Sequence, residues 1–264
     1  MAVHYVVESG IATITIDRPE VRNAIDQETA HNISVSLGSA DADPEVRVIL
    51  LTGAGGYFCA GMDLKAFLRG EVMRSPVNGF AGVTQRVLSK PLIAAVEGFA
   101  LAGGFEIALA CDMIVAAEDA RFGLSEAKRG LVPNAGGLVR LPRQLPPKIA
   151  AELIMTAEMV SATYLAAHGL INHVVPRGEA LATARVLAAK IAANDAYAIA
   201  ISKQVLNESP DWPASEMFER QNEITAPLFA SASARAGATS FTGQSGGEKA
   251  LAGEAAPASN GKIQ

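Results

Sequence analysis

Lys90 to Gly137 reads KPLIAAVEGFALAGGFEIALACDMIVAAEDARFGLSEAKRGLVPNAGG. Leu92 to Val96 is an apolar run flanked by Pro91 and Gly98, the pattern of a buried strand. The pair Gly103-Gly104 then opens a helical run, Phe105 to Cys111, and Met113 to Ala117 is a second strand-like run. Inside the apolar helix stands one carboxylate, Glu106; a second, Glu126, follows in a Gly-Leu-Ser-Glu-Ala turn ahead of another glycine pair. An unpaired carboxylate is expensive to bury, so each is either satisfied locally or kept for chemistry.

The same order precedes this stretch. Val46 to Thr52 is almost wholly β-branched or leucine, as in a sheet covered on both faces, and it runs into GAGGYFCAGMDL at 53–64. A strand, a glycine turn and a helix start place backbone N–H groups where an anionic oxygen could be received. The turn lacks the GK[ST] ending of a P-loop and the GxGxxG of a dinucleotide site. Upstream, Val3 to Val7 and Ile11 to Ile16 alternate around Glu8-Ser9-Gly10 as a hairpin, and a helix with inner face Ala30, Ile33 and Leu37 follows Asp26. Ala81 to Ser89 is expected to be a short helix, and the arginines at 121, 140 and 143 to be solvated or interface groups. From Leu181 the pattern is helical, so we expect an α/β core at 1–175, a helical region at 176–241 and a disordered tail at 242–264.

Composition narrows the function classes. The 264 residues carry a formal charge of −5 and no long basic run, which argues against nucleic acid. No apolar run is long enough to span a bilayer, no leader pattern opens the chain, and the two cysteines form no CxxC, so a cytoplasmic protein is expected. Four dispersed histidines offer no metal-ligand spacing, and we expect neither metal nor cofactor. With one Trp in the chain, a glycosidase reading of the two acids lacks the usual aromatic platform.

The turns Cys59-Ala60-Gly61 and Ala102-Gly103-Gly104 can each aim an N–H at one point, and two convergent N–H groups stabilise charge developing on a carbonyl oxygen. Glu106 lies three residues beyond Gly103, on the same helix face. Two carboxylates beside a polarised carbonyl suit proton traffic at the adjacent carbons, given pKa values raised by burial. Cys59 lies near this point, but no base is indicated beside it, and small buried cysteines are common.

FCAGMDL (58–64), KPLIAAVEGFALAGGFEIALACD (90–112), FGLSEAKRGLVPNAGG (122–137) and SATYLAAHGLINHVV (161–175) resemble the crotonase, or enoyl-CoA hydratase/isomerase, superfamily in order and spacing. The resemblance runs from about Val3 to Phe241. It implies a spiral of repeated ββα units with a helical C-terminal part, a homotrimer or homohexamer, and an acyl-CoA thioester as substrate. It matches the oxyanion hole to Ala60 and Gly103 and the catalytic acids to Glu106 and Glu126. It further implies substrate or CoA contacts at Arg22, Ala24, Cys59, Gly61, Met62, Asp63, Leu64, Gly104, Pro133 and Gly136.

Isomerases and decarboxylases of the family commonly lack one of the acids, so the presence of both implies reversible hydration of a 2-enoyl-CoA. GLSEAKRGLVPNAGGLVRLPRQLPPKIAAELIMT (123–156) is similar to carnitinyl-CoA dehydratases, which keeps that activity as an alternative beside an isomerase and a non-catalytic acyl-CoA scaffold. The chain departs from the family pattern at Ser125, where proline is usual, at 157–159, and at SASARAGATSFTGQ (231–244).

Overall fold

The computed structural model describes residues 2–243. The elements in chain order are β1 (Val3–Glu8), β2 (Ile11–Ile16), α1 (Gln27–Ala42), β3 (Val48–Gly53), α2 (Leu64–Leu68), β4 (Arg74–Ser75), β5 (Gly79–Phe80), β6 (Leu92–Val96), β7 (Phe99–Leu101) and α3 (Gly103–Ala110). They continue with β8 (Met113–Ala117), β9 (Arg121–Gly123), α4 (Gly137–Gln144), α5 (Pro147–Thr156), β10 (Val160–Ser161), α6 (Ala162–Ala167), β11 (His173–Val175), α7 (Ala180–Ala192), α8 (Ala196–Glu208), α9 (Met217–Phe229) and α10 (Ala232–Gly243).

The main sheet has the order β1-β2-β3-β6-β8-β11. Only the β1/β2 hairpin is antiparallel; the remaining pairs are parallel. Because strand side chains alternate, neighbouring residues of β3, β6 and β8 enter two cores. Ile49, Leu51, Ala94, Val96, Ile114 and Ala116 point to one side with Phe58, Phe105 and Phe122. Val48, Leu50, Ile93, Ala95 and Val115 point to the other, where the Ala180, Ala184 and Ala188 stripe of α7 covers them. Alanines spaced by four residues share a helix face and let that helix approach closely. The helix α1 is started by Asp26, whose Oδ1 accepts the Thr29 N–H at 2.8 Å, and it buries Ala30, Ile33 and Leu37 as its spacing predicts.

A second sheet, β10-β9-β7, lies beyond the main one in the chain path. Each turn of the spiral therefore runs from a main-sheet strand to a small-sheet strand to a helix: β6-β7-α3, then β8-β9-α4. The glycine stretch after β3 makes a third such turn, because Cys59 bridges Ala100 in parallel register and Ala100 pairs with Phe122. Three rungs are thus aligned, and the residues just beyond them (60–62, 102–104 and 124–126) come side by side. This is a crotonase fold.

Ala81 to Ser89 is a series of turns and not a helix. Gly79, Ala81 and Gly82 all have positive φ, at 71°, 53° and 67°, which interrupts a right-handed helix. The chain divides into two compact units, Met1–Lys203 and Gln204–Gln264. The first unit takes in α7, which the compositional division at 175/176 assigns to the helical region. The second contains α9 and α10; α10 holds most of the 231–244 departure and runs through 242–243, the first two residues expected to be disordered, while 244–264 lies outside the described residues. Among the described residues no helix is long and apolar enough to cross a membrane.

Candidate active site

Glu106 sits in the first turn of α3 and is 3% exposed. Its Oε1 accepts the N–H of Ala135 at 2.7 Å and of Gly137 at 2.8 Å. Burial outweighs the other influences and leaves its carboxyl above the ordinary value, while those two N–H groups and the charges of Arg74 and Arg140 limit the rise. Pro133, buried, and Gly136, with φ of 122°, shape the loop that presents both donors. The Gly136 conformation is one that L side chains rarely adopt. Arg140, expected from the sequence as a solvated or interface group, is partly buried and donates to the Thr84 carbonyl at 2.5 Å.

Glu126 opens the short 3-10 turn Glu126–Arg129, separated from the end of β9 by Leu124 and Ser125, and is 9% exposed. Its Oε2 is buried with no hydrogen-bond partner among the described residues. Burial pushes its pKa up to about 7; its own backbone N–H opposes the rise, the Glu106 charge adds to it, and Arg129 opposes it. With Ser125 in the place of proline the turn still forms, and Arg129 donates to both the Ser125 carbonyl and Oγ at 3.3 Å. The two carboxyls therefore differ in kind. One is held by donors that favour its charge, and the other is poised to carry a proton near neutral pH.

The backbone donors lie at the ends of the neighbouring rungs. Gly103 is the first residue of α3, so its N–H has no partner within the helix. It is aimed by Ala102, whose φ of 49° and ψ of −124° put an L residue in a disfavoured conformation. The Ala102 N–H is anchored on the Gly123 carbonyl at 2.8 Å. The structure corrects the other half of the expected pair. Ala60 spends its N–H on the Arg22 carbonyl at 3.0 Å and cannot serve a ligand at the same time.

Two residues on, Ile25 bonds on either side of Met62: Ile25 N–H goes to the Gly61 carbonyl and Asp63 N–H to the Ile25 carbonyl, leaving the Met62 N–H without an acceptor among the described residues. Gly61, with φ of 96°, lies so close to the α3 start that a Cβ on it would fall 3.0 Å from the Gly103 nitrogen. The donors free at this junction are those of Met62 and Gly103. The signal was the parallel bridge from Ile25 to Met62, which the sequence does not display.

The other residues divide. Cys59 is wholly buried, with its N–H on the Phe99 carbonyl and its carbonyl on the Leu101 N–H, so it offers a ligand no surface. Burial pushes its thiol up to about 12, opposed by the Gly61 backbone, which removes it as a nucleophile. Asp63 is the N-cap of α2, accepting from Lys65 at 3.0 Å and Ala66 at 3.2 Å, and it pairs with Arg18 at 3.3 Å. Burial acts to raise its pKa, but those bonds and Arg18 outweigh it and hold the carboxyl below its ordinary value. Asp63 is a structural residue here.

Gly104 is buried against Cys59. Ala24 is also buried, and its carbonyl is taken by Arg18 at 2.5 Å. Arg22 stands exposed, with its guanidinium carbon 5.8 Å from the Phe99 ring centroid, and Leu64 is exposed at the start of α2. Among the described residues no group of three or more His, Cys, Asp or Glu is arranged to hold a metal ion.

The family profile described as enoyl-CoA hydratase/isomerase matches residues 7–246. The chain belongs to the enoyl-CoA hydratase/isomerase family. Enoyl-CoA hydratase EchA19 of Mycobacterium tuberculosis is 42% identical over 235 residues, covering 86% of this chain and 88% of that one. Carnitinyl-CoA dehydratase of Salmonella typhi is 42% identical over 219 residues, covering 81% and 84%. Among solved structures, enoyl-CoA hydratase EchA1 from Mycobacterium marinum superposes with a TM-score of 0.90 at 45% identity, covering 92% of this chain and 96% of that chain. The fold of this family member is thus shared over nearly its full length, and the candidate site lies at the ends of the three aligned rungs.

Proposed function

We propose that the protein is a hydro-lyase that adds water reversibly across the 2,3 double bond of a 2-enoyl-CoA thioester. The observation that carries this is the unlike pair of buried carboxyls, donor-held Glu106 and Glu126 with its Oε2 unpartnered among the described residues, beside the free N–H groups of Met62 and Gly103. Those N–H groups receive the thioester oxygen as it gains charge, which is the arrangement that makes preorganised donors effective. Glu106 takes a proton from water while the water oxygen bonds to Cβ, and the π electrons of the double bond pass into the thioester as an enolate. Glu126 then delivers its proton to Cα. Release of a proton by Glu106 to solvent and uptake of one by Glu126 restore the starting state. The coenzyme is part of the substrate, and no step calls on a metal.

Family resemblance supports a homotrimer or a homohexamer, the acidic chain supports a protein without a nucleic-acid partner, and two distant cysteines without a CxxC support a reducing compartment, the cytoplasm. A second reading, hydration of crotonobetainyl-CoA, is favoured by the 123–156 likeness and by the carnitinyl-CoA dehydratase among the relatives. The test is loss of the ultraviolet absorbance of the conjugated thioester with crotonyl-CoA, a long-chain enoyl-CoA and crotonobetainyl-CoA in parallel. Hydration of the simple esters supports the first reading, and reaction of the betaine ester alone supports the second. Binding of all three without turnover overturns both and favours an isomerase or a scaffold.

A further inference from the structure

The small hairpin of β4 and β5 touches both halves of the site. At one end Arg74 donates from Nη2 to the Asn134 carbonyl at 2.5 Å. That carbonyl belongs to the same peptide unit as the Ala135 N–H, which is donated to Glu106 Oε1. Directly across the hairpin Phe80, the register partner of Arg74, packs on the start of α3, where a Cβ at Gly103 would meet its ring at 2.6 Å. One two-stranded element thus bears on the loop that holds the first carboxylate and on the helix end that offers the free N–H.

We propose that Arg74 is a positioning residue for hydration: by bonding the Asn134 carbonyl it fixes and polarises the Asn134–Ala135 peptide, so that Ala135 holds Glu106 in place as the carboxylate. This rests on the hydratase reading above for the role of Glu106. A cation on an amide oxygen draws density from the amide and strengthens its N–H as a donor. The charged groups facing Glu106 are Arg74 from β4, Arg140 from α4 and Glu126 from the 3-10 turn. Burial raises the Glu106 carboxyl, and the two arginines oppose that rise. Arg140 is partly buried and also holds Thr84, whereas Arg74 is exposed, so its influence is screened by salt and can be altered without opening the core.

The test uses the full chain as wild type, Arg74→Met and Arg74→Lys, with two readouts. The first is kcat/KM for hydration against pH. The second is the 13C carboxyl titration of Glu106 in glutamate-labelled protein, assigned with Glu106→Gln. An exposed charge contributes up to about 1 kcal/mol, so Arg74→Met should lose up to about fivefold in kcat/KM at the acid end of the profile, where Glu106 takes up its proton, and progressively less toward the alkaline end. The Glu106 signal should titrate at higher pH in Arg74→Met, and Arg74→Lys should restore most of both. An equal loss at every pH, or no loss, with the Glu106 titration unmoved, overturns the proposal. If the wild type hydrates no enoyl-CoA, the hydratase reading fails, and the Glu106 titration still decides what Arg74 does.

Discussion

The N–H of Gly137 lies 2.8 Å from Glu106 Oε1, and a Cβ built at Gly137 would stand 3.2 Å from that same oxygen. Glycine is required there by close approach and not by a special φ. An added methyl would also press on Pro133 at 2.9 Å and Leu124 at 3.0 Å. Gly137→Ala should therefore displace the donor loop while the fold persists. A shift of this kind near the chemistry can cost about 100-fold, so kcat should fall by about that factor with circular dichroism unchanged. Full activity would show that the loop does not aim Glu106.

Gly61→Ala tests the backbone donors. Its φ of 96° disfavours any side chain, and the new methyl would meet the Leu101 carbonyl at 2.9 Å and the Gly103 nitrogen at 3.0 Å. Losing one oxyanion donor typically costs about 100- to 1,000-fold in kcat. We expect a loss of that order, measured by steady-state hydration, with a much smaller change in KM.

Glu126 should cost the protein stability in return for its proton. Its carboxyl releases near 4.5 when unfolded and near about 7 when folded, so between those values the native state holds the extra proton. Stability therefore falls as pH rises through this window, by up to about 3 kcal/mol in all. Glu126→Gln removes the effect: its melting temperature should exceed that of the wild type near pH 8 and match it near pH 4.5. The same ionisation should make wild-type hydration decline above about pH 7, because only the protonated Glu126 supplies Cα. A melting difference independent of pH would contradict the raised pKa.

Cys59 should be silent. A wholly buried thiol pushed up to about 12 presents almost no thiolate at neutral pH. Iodoacetamide should leave the activity of the folded protein unchanged over hours. Rapid inactivation traced to Cys59 by mass spectrometry would reverse that assignment.

The sequence carried the layout of the fold because its strands are fully buried runs and its helices bury regular faces. The Ala30, Ile33 and Leu37 face and the β3, β6 and β8 runs are read directly from spacing. The small-sheet strands were not legible: β7 and β9 have three residues each, too few to show a period. Glu106 and Glu126 stood out as acids in apolar surroundings. The choice between Ala60 and Met62 did not, since it turns on which N–H a distant segment consumes. Arg22 takes the first through its carbonyl, and Ile25 bonds on either side of the second. The contacts of Arg140 were not legible for a related reason. Composition gives its charge but not that its side chain reaches the Thr84 carbonyl, with its charge felt by Glu106.

The most direct measurement is crotonyl-CoA hydration by Glu126→Gln beside the wild type, with binding of the saturated thioester measured on both. The amide is nearly isosteric but holds no transferable acid proton. Turnover should fall by about 1,000-fold or more, with thioester affinity unchanged within a few-fold. Turnover within about tenfold of the wild type would contradict a mechanism in which Glu126 protonates Cα.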